Sequence, residues 1–233
     1  MKKKIVWGLI IFLALLVISL LLLKSFWQEK TVVNNISAIS EAKAESFVPA
    51  SSPTVSADEK IIGSIQAPVK ILVYEDYNNL FSAELAANLD KIKAEFGDEV
   101  AIATRPYVLR DNAASMEAAM AIECSMDGGK WTDMRNVIFS AITNNDFSTE
   151  KIAAEVERQG LDKANFTKCL TSLEKQGLML QVAENAKDFS VYGAPTIFVG
   201  NELVIGARPY DDYQDETGAK VEGLKSLVAR QVK

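Results

Sequence analysis

The stretch Val69-Lys70-Ile71-Leu72-Val73-Tyr74-Glu75-Asp76-Tyr77-Asn78-Asn79 decides the fold. It opens as a mostly apolar run of strand length and closes in a polar turn. Beyond the turn, Leu85, Leu89, Ile92 and Phe96 recur at spacings of four, three and four, which is one apolar face of a helix ending near Gly97. Val100-Ala-Ile-Ala-Thr-Arg-Pro-Tyr-Val108 reads as a second strand. A helix between two neighbouring strands carries the chain back to the starting edge, so the pairing is parallel and the opening is predicted as β-α-β.

Downstream, the chain from about Asn112 to Asp188 reads as helical. Predicted helices cover Ala113 to Cys124, Lys130 to Ile142, a segment capped by Ser148, Asp162 to Leu173, and Leu178 to Phe189. After Gly193-Ala194-Pro195 come two short strands, Thr196-Ile-Phe-Val199 and Glu202-Leu-Val-Ile205, joined by the hairpin signal Gly200-Asn201. A terminal helix is predicted from about Glu222 to Gln231. The order is βαβ, a helical block, then ββα. A helical insertion within a small α/β sheet, in one domain of 174 residues from Lys60 to Lys233, is the simplest architecture for it.

Composition limits the chemistry. The 233 residues carry 25 Lys+Arg against 31 Asp+Glu, a net charge of −6, and every acidic residue lies after Lys24. The chain beyond Lys24 therefore carries 21 basic and 31 acidic residues, a net −10. Such a balance argues against a phosphate-neutralising surface, which needs a basic patch, so no nucleic-acid partner is expected. Two cysteines exclude a Cys₄ metal site, and zero histidines exclude Ser–His and Cys–His nucleophile pairs and His-ligated zinc. No cofactor and no metal site is expected.

Ile5 to Leu23 is a run of 19 uncharged residues, apolar except for Gly8 and Ser19. As a helix it spans about 28 Å, close to the roughly 30 Å hydrocarbon layer. Lys2, Lys3 and Lys4 precede it, so the reading is a cytoplasmic tail at residues 1–4, a membrane anchor at 5–23 and everything later outside the cell membrane. A cleaved signal peptide is the rival. Its apolar core would be shorter and followed closely by small residues, whereas this run ends in Leu-Leu-Leu-Lys-Ser-Phe-Trp27. Residues 24–59, with Pro49 and Pro53 among Ser, Ala, Asn, Glu and Lys, read as a flexible linker. Its r.m.s. reach is roughly 30–35 Å. A short helix around Ile36 to Glu45 is compatible with it. Asn35-Ile-Ser and Asn165-Phe-Thr match glycosylation sequons, which carry weight only in a eukaryotic secretory pathway.

Several runs resemble the DsbA-like family of thioredoxin-fold proteins, over essentially all of Ala67 to Ala229. Ala67-Pro-Val-Lys-Ile-Leu-Val-Tyr-Glu-Asp-Tyr77 is similar to the family's opening strand and reactive turn. Pro106-Tyr-Val-Leu, Ala118-Ala-Met-Ala-Ile-Glu-Cys124, Gly129-Lys-Trp-Thr-Asp-Met134 and Phe166-Thr-Lys-Cys-Leu170 follow in the family's order, and Gly206-Ala-Arg-Pro-Tyr210 closes it. Gly193-Ala-Pro-Thr-Ile-Phe-Val-Gly200 is the most specific match, similar to the loop that carries the family's cis-proline. The resemblance implies a thioredoxin-like α/β fold with a helical insertion at about 112–189, a cis bond at Ala194–Pro195, and a loop that offers backbone to an extended peptide by strand addition.

At the reactive turn the resemblance breaks. Relatives that exchange disulfides carry Cys-x-x-Cys there; aligned through Glu75-Asp76-Tyr77, the four positions are Asn79-Leu80-Phe81-Ser82. A thioredoxin-type nucleophile is a thiolate at a helix N-terminus. Asn79 can cap that helix but cannot ionise, and Ser82 has no histidine to act as its base. Some DsbA-fold relatives that act on glutathione conjugates or aromatic isomers use a serine at the first of the four positions, which here is Asn79. No catalytic residue is therefore assigned; Ala194, Pro195 and Phe81 are the candidate binding residues. A turn that only packs the two halves of the domain is the competing reading of Pro195.

Cys124 and Cys169 lie 45 positions apart in different predicted helices. In an extracytoplasmic domain two lone cysteines favour a bridge, and relatives often carry cysteines at both places. Two buried free thiols, or a displaced redox pair, are the alternatives. Glu75-Asp76 read as turn-forming carboxylates, since neighbours at a strand end point opposite ways. Tyr210-Asp-Asp-Tyr-Gln-Asp-Glu216 is an acidic surface segment able to hold a cation weakly, without the spacing of a calcium loop. The expectation is a membrane-tethered, extracytoplasmic protein, inactive in thiol–disulfide exchange, that binds extended peptide segments or an envelope protein. The alternatives are an oxidoreductase for envelope disulfides and a purely structural subunit of an envelope complex.

Overall fold

The computed structural model describes residues 51–126 and 128–232. The tail at 1–4, the apolar run Ile5 to Leu23 and the linker up to Ala50 lie outside them. Five strands form one sheet in the order β1-β3-β2-β4-β5: β1 (Lys60–Ile62), β2 (Val69–Glu75), β3 (Val100–Pro106), β4 (Thr196–Val199) and β5 (Glu202–Ile205). β2 and β3 run parallel, with Val73 opposite Thr104, and α1 (Leu80–Phe96) crosses between them. β4 is antiparallel to β2, with Tyr74 opposite Thr196. Gly200 takes φ 59° at the first of the two loop residues joining β4 to β5, the pattern of a type II′ turn that suits the twist of a hairpin.

Every residue of β2 except Lys70 is buried, because both faces of the sheet are covered. Alternate residues Val69, Ile71 and Val73 pack with Leu85, Leu89 and Ile92 of α1 and with the terminal helix α7 (Leu224–Ala229). Leu72 and Tyr74 face the other way, with Phe198 of β4 and Ala183 and Ala186 of a helix from the insertion. The insertion itself comprises α2 (Ala113–Cys124), α3 (Trp131–Thr143), α4 (Thr149–Arg158), α5 (Lys163–Leu170) and α6 (Leu173–Ala186), followed by a 3₁₀ turn at Lys187–Phe189. Its core joins Met120, Ile122, Met134, Ile138, Val156 and Phe166.

The structure corrects the reading in four places. The strand β1 precedes the β-α-β unit and pairs antiparallel to β3, with Ile61 opposite Ala103, a strand partner 42 positions away. The helix predicted to reach Leu173 stops at Leu170, because the Ser172 hydroxyl accepts the Lys175 N–H and starts α6 five residues before the predicted Leu178. The acidic segment from Tyr210 contributes β6 (Tyr213–Gln214), paired to β7 (Lys220–Val221); Asp215 accepts the N–H groups of Thr217 and Ala219, and Asp212 that of Gly223. Among the described residues no group of three or more acidic or cysteine side chains is arranged to hold a metal ion.

The fourth correction concerns the linker. From Thr54 onward it belongs to the domain: Arg105, at the end of β3, donates to the Thr54 carbonyl at 2.7 Å and to both carboxylate oxygens of Glu59 at 2.8 and 2.9 Å. A half-buried guanidinium needs acceptors, and this segment supplies them. Lys60 in β1 then reaches Glu123 of α2 at 2.8 Å, with Lys175 of α6 on the same carboxylate at 3.5 Å. Burial alone would raise the Glu123 carboxyl, but the Lys60 and Lys175 charges outweigh it and hold it below the ordinary 4.5. A carboxyl depressed on folding contributes stability above its unfolded value and loses it as pH falls through the lower folded value. Acid unfolding below pH 4.5 is thus expected to be shallower in Lys60→Met than in wild type, as followed by circular dichroism.

Candidate functional site

The reactive-turn positions are consumed by turn and helix formation. Asn79 is the N-cap of α1, extended at φ −125° and ψ 128°, and its side-chain oxygen accepts the Ser82 N–H at 3.2 Å. The Ser82 hydroxyl accepts the Asp76 N–H at 3.2 Å, and the residue is fully buried. Asp76 accepts from the Asn78 N–H at 2.9 Å and from the Ser115 hydroxyl of α2, so it ties the turn to the insertion. Asn79 and Ser82, the positions that the resemblance aligns with the family's Cys-x-x-Cys, are thus both held in the cap and turn, and the Ser82 side chain is buried. Leu80 and Phe81 point outward, with Phe81 59 % exposed. Asn79→Ala is expected to cost about 1 kcal/mol by loss of the cap, measured by urea unfolding.

Beneath the turn lies a buried ion pair. Glu75, the last residue of β2, is 0 % exposed, and Arg135 of α3 is 1 % exposed. Arg135 Nε donates to Glu75 Oε2 at 2.9 Å while Nη2 bonds Oε1, a bidentate fork. The guanidinium also lies 4.9 Å from the centre of the Phe139 ring, against which Tyr77 leans at 5.6 Å between centroids. Burial works against the Arg135 charge, but the Glu75 carboxylate outweighs it and the guanidinium is held above its ordinary range. Burial, followed by the Glu75 charge, pushes the Tyr77 hydroxyl well above the usual phenol range. Glu75, Tyr77, Arg135 and Phe139 are all buried, and the pair joins the end of β2 to α3.

The Ala194–Pro195 bond is cis. Since Thr196 pairs with Tyr74, Pro195 stands beside Glu75 at the same end of the sheet from which the Asp76–Asn79 turn leaves. The Pro195 carbonyl accepts the Gly206 N–H at 2.9 Å, and the Thr196 hydroxyl donates to the Gly193 carbonyl at 2.8 Å. Ala194 packs against the cluster of Tyr74 and Phe198. Sheet topology thus brings the Asn79 turn and the Pro195 loop to one end of the molecule.

The cysteines are elsewhere. Cys124 and Cys169 form a disulfide with Cα atoms 5.7 Å apart. They line an open groove of about 550 Å³ with Leu161, Phe166, Lys168 and Lys175, and neither Asn79–Ser82 nor Ala194–Pro195 contributes to it. Cys124 is the last residue of α2 and Cys169 the next to last of α5. Both sulfurs stand at helix C-termini, where the helix dipole disfavours a thiolate.

Sequence reading missed Arg135. Its signal was present: a lone cation in Met134-Arg135-Asn136-Val137-Ile138-Phe139, on the same helical face as Phe139. What periodicity could not supply was the buried carboxylate 60 positions earlier.

A five-stranded sheet carrying a cis-proline loop opposite a helix start, with a helical insertion, defines the thioredoxin class. The sequence model described as Thioredoxin matches residues 36–216, and the chain belongs to that family. Solved DsbA-like proteins share the fold. They include a periplasmic thioredoxin-like protein from Salmonella enterica serovar Typhimurium (TM-score 0.59, 20 % identity, 75 % of this chain and 90 % of that one). The thiol-disulfide exchange protein alpha-DsbA2 of Wolbachia pipientis matches at TM-score 0.56 and 20 % identity, over 65 % of this chain and 81 % of its own. The catalytic domain of Proteus mirabilis ScsC matches at 0.58 and 18 %, over 76 % and 90 %. A search of curated proteins finds no match. Among the described residues no helix is long and apolar enough to cross a membrane, and Ile5 to Leu23 lies outside them.

Proposed function

We propose that this protein is a membrane-tethered, extracytoplasmic member of the family that has given up thiol–disulfide exchange and binds extended polypeptide segments at the sheet end bearing Asn79, Leu80, Phe81, Ala194 and Pro195. One observation carries the reading. Asn79 and Ser82 are built into the cap and turn, while the Pro195 loop keeps its place beside them. Main-chain pairing to such a loop needs no sulfur. The tether is argued from the apolar run Ile5 to Leu23 with Lys2–Lys4 before it, and the periplasmic origin of a structural relative agrees with an extracytoplasmic domain.

Insulin reduction by the full-length protein tests the loss of exchange. The expected rate is the uncatalysed background. Turnover above background that persists in Cys124→Ala/Cys169→Ala would refute the proposal. Turnover that disappears in that variant would instead favour the second reading, an oxidoreductase working through Cys124 and Cys169, for which the exchange activity of a structural relative is the motive. Their helix C-terminal placement argues against it, since a disfavoured thiolate is a poor leaving group. A structural subunit of an envelope complex remains the third reading. A photoreactive group at Phe81 that crosslinks no partner would favour it.

A further inference from the structure

The open groove of about 550 Å³ beside the disulfide lies apart from the Asn79 turn and the Pro195 loop, neither of which lines it. Its apolar lining continues the insertion's core: Cys124 and Phe166 belong to that core, and Leu161 and Cys169 pack against it. The ionisable side chains that line it are Lys168, Lys175 and Asp162. Two cations against one carboxylate reverse the sign of a chain that carries 31 acidic and 21 basic residues beyond Lys24. The Asp162 carboxylate is committed to the start of α5, where it accepts the Asn165 N–H at 2.8 Å. Lys175 lies 3.5 Å from Glu123, but that carboxylate also holds Lys60 at 2.8 Å, so the trio keeps one net positive charge. The walls are tied together without a ligand, α2 to α5 by the disulfide and α6 to α2 by the Lys175–Glu123 pair, which lowers the ordering cost of binding.

We propose that this groove is a second binding site, which takes a small organic acid with an apolar body and one anionic head. The body lies on Leu161, Phe166 and the disulfide, and the head takes its charge contacts from Lys168 and Lys175. The volume falls within the roughly 300–1,000 Å³ of small-molecule sites, and an apolar lining with a few charged groups is their usual chemistry. An uncharged analogue gains the apolar contact alone, and a cationic one meets the two lysines. A polyanion would extend beyond the groove over a chain of net −10, so a single anionic head fits where a run of them does not. The site is independent of polypeptide binding at Asn79 and Pro195, and either stands without the other.

The test is photolabelling of the full-length protein with a trifluoromethyl-diazirinyl benzoate and, separately, with the matching uncharged benzyl alcohol. Labelled positions are mapped by mass spectrometry after digestion with a protease that does not cleave at lysine. The benzoate should label the 160–175 segment several-fold more than the alcohol does at equal concentration. Lys168→Gln/Lys175→Gln should lower benzoate labelling there by about fivefold, the effect of two solvent-exposed ion pairs, and leave alcohol labelling unchanged. Lys225→Gln removes the same kind of charge from α7, outside the groove, and should change neither. Lys168→Gln alone, at an exposed position, should give part of the loss and carries the test if circular dichroism shows the double variant to be unfolded. Equal labelling by both probes, benzoate labelling indifferent to the groove lysines, or benzoate labelling concentrated outside 160–175 overturns the proposal.

Discussion

Arg135→Ala should lower stability by about 3–5 kcal/mol, because it leaves Glu75 buried without its partner. With total stabilities of about 5–15 kcal/mol for such domains, that loss brings the protein near its unfolding threshold at ambient temperature. The magnitude comes from the stranded charge, not from the worth of the pair. Glu75→Met/Arg135→Met, which removes both charges and keeps volume, should therefore recover most of the loss. Urea denaturation of wild type, single and double variants reads both quantities. A single-variant loss under 1 kcal/mol would mean that Glu75 finds another partner or water. Because Arg135 joins α3 to the end of β2 while Asp76 joins the same end to α2, the single variant should also loosen the turn, seen as faster amide exchange at Asn78 and Asn79.

Removing the disulfide is the second large effect. Cys124 and Cys169 close a loop of 45 residues, for which the chain-entropy model gives about 4 kcal/mol. Cys124→Ala/Cys169→Ala should lower the urea midpoint accordingly. The bridge links the end of α2 to α5, so its loss should fall on the insertion first, with exchange protection declining around Phe166 before it declines in β2 and β3. Placement of both sulfurs at helix C-termini also predicts resistance to mild reductant, checked by alkylation and mass spectrometry before and after treatment. Ready reduction under native conditions would return the pair to the redox reading.

Local signals located most elements. The caps Asn79, Asn112, Ser148 and Asp162 each start a helix through a side-chain oxygen accepting a first-turn N–H, a contact confined to four consecutive residues. The Gly200-Asn201 hairpin is equally local. The failures involve partners far away. β1 is three residues long and has no periodicity of its own; Gly63 after it takes φ 99°, and a Cβ there would lie 2.9 Å from the Val100 carbonyl, so the turn is shaped by the neighbour it meets. The start of α6 was hidden because Leu173 and Leu178 face solvent and offer no apolar face to count from.

The candidate site divides in the same way. That Asn79-Leu80-Phe81-Ser82 follows Glu75-Asp76-Tyr77 without a cysteine, that the chain has no histidine, and that its net charge is −6 are properties of the sequence, independent of where atoms lie. That Ser82 is buried, that Glu75 is paired with Arg135, and that five exposed hydrophobics (Leu80, Phe81, Leu109, Tyr192 and Ile205) belong to four segments leaving one end of the sheet required the tertiary structure. Each depends on pairing between positions distant in the chain, and the free energy that selects such pairs comes from burial, which no window of neighbouring residues contains.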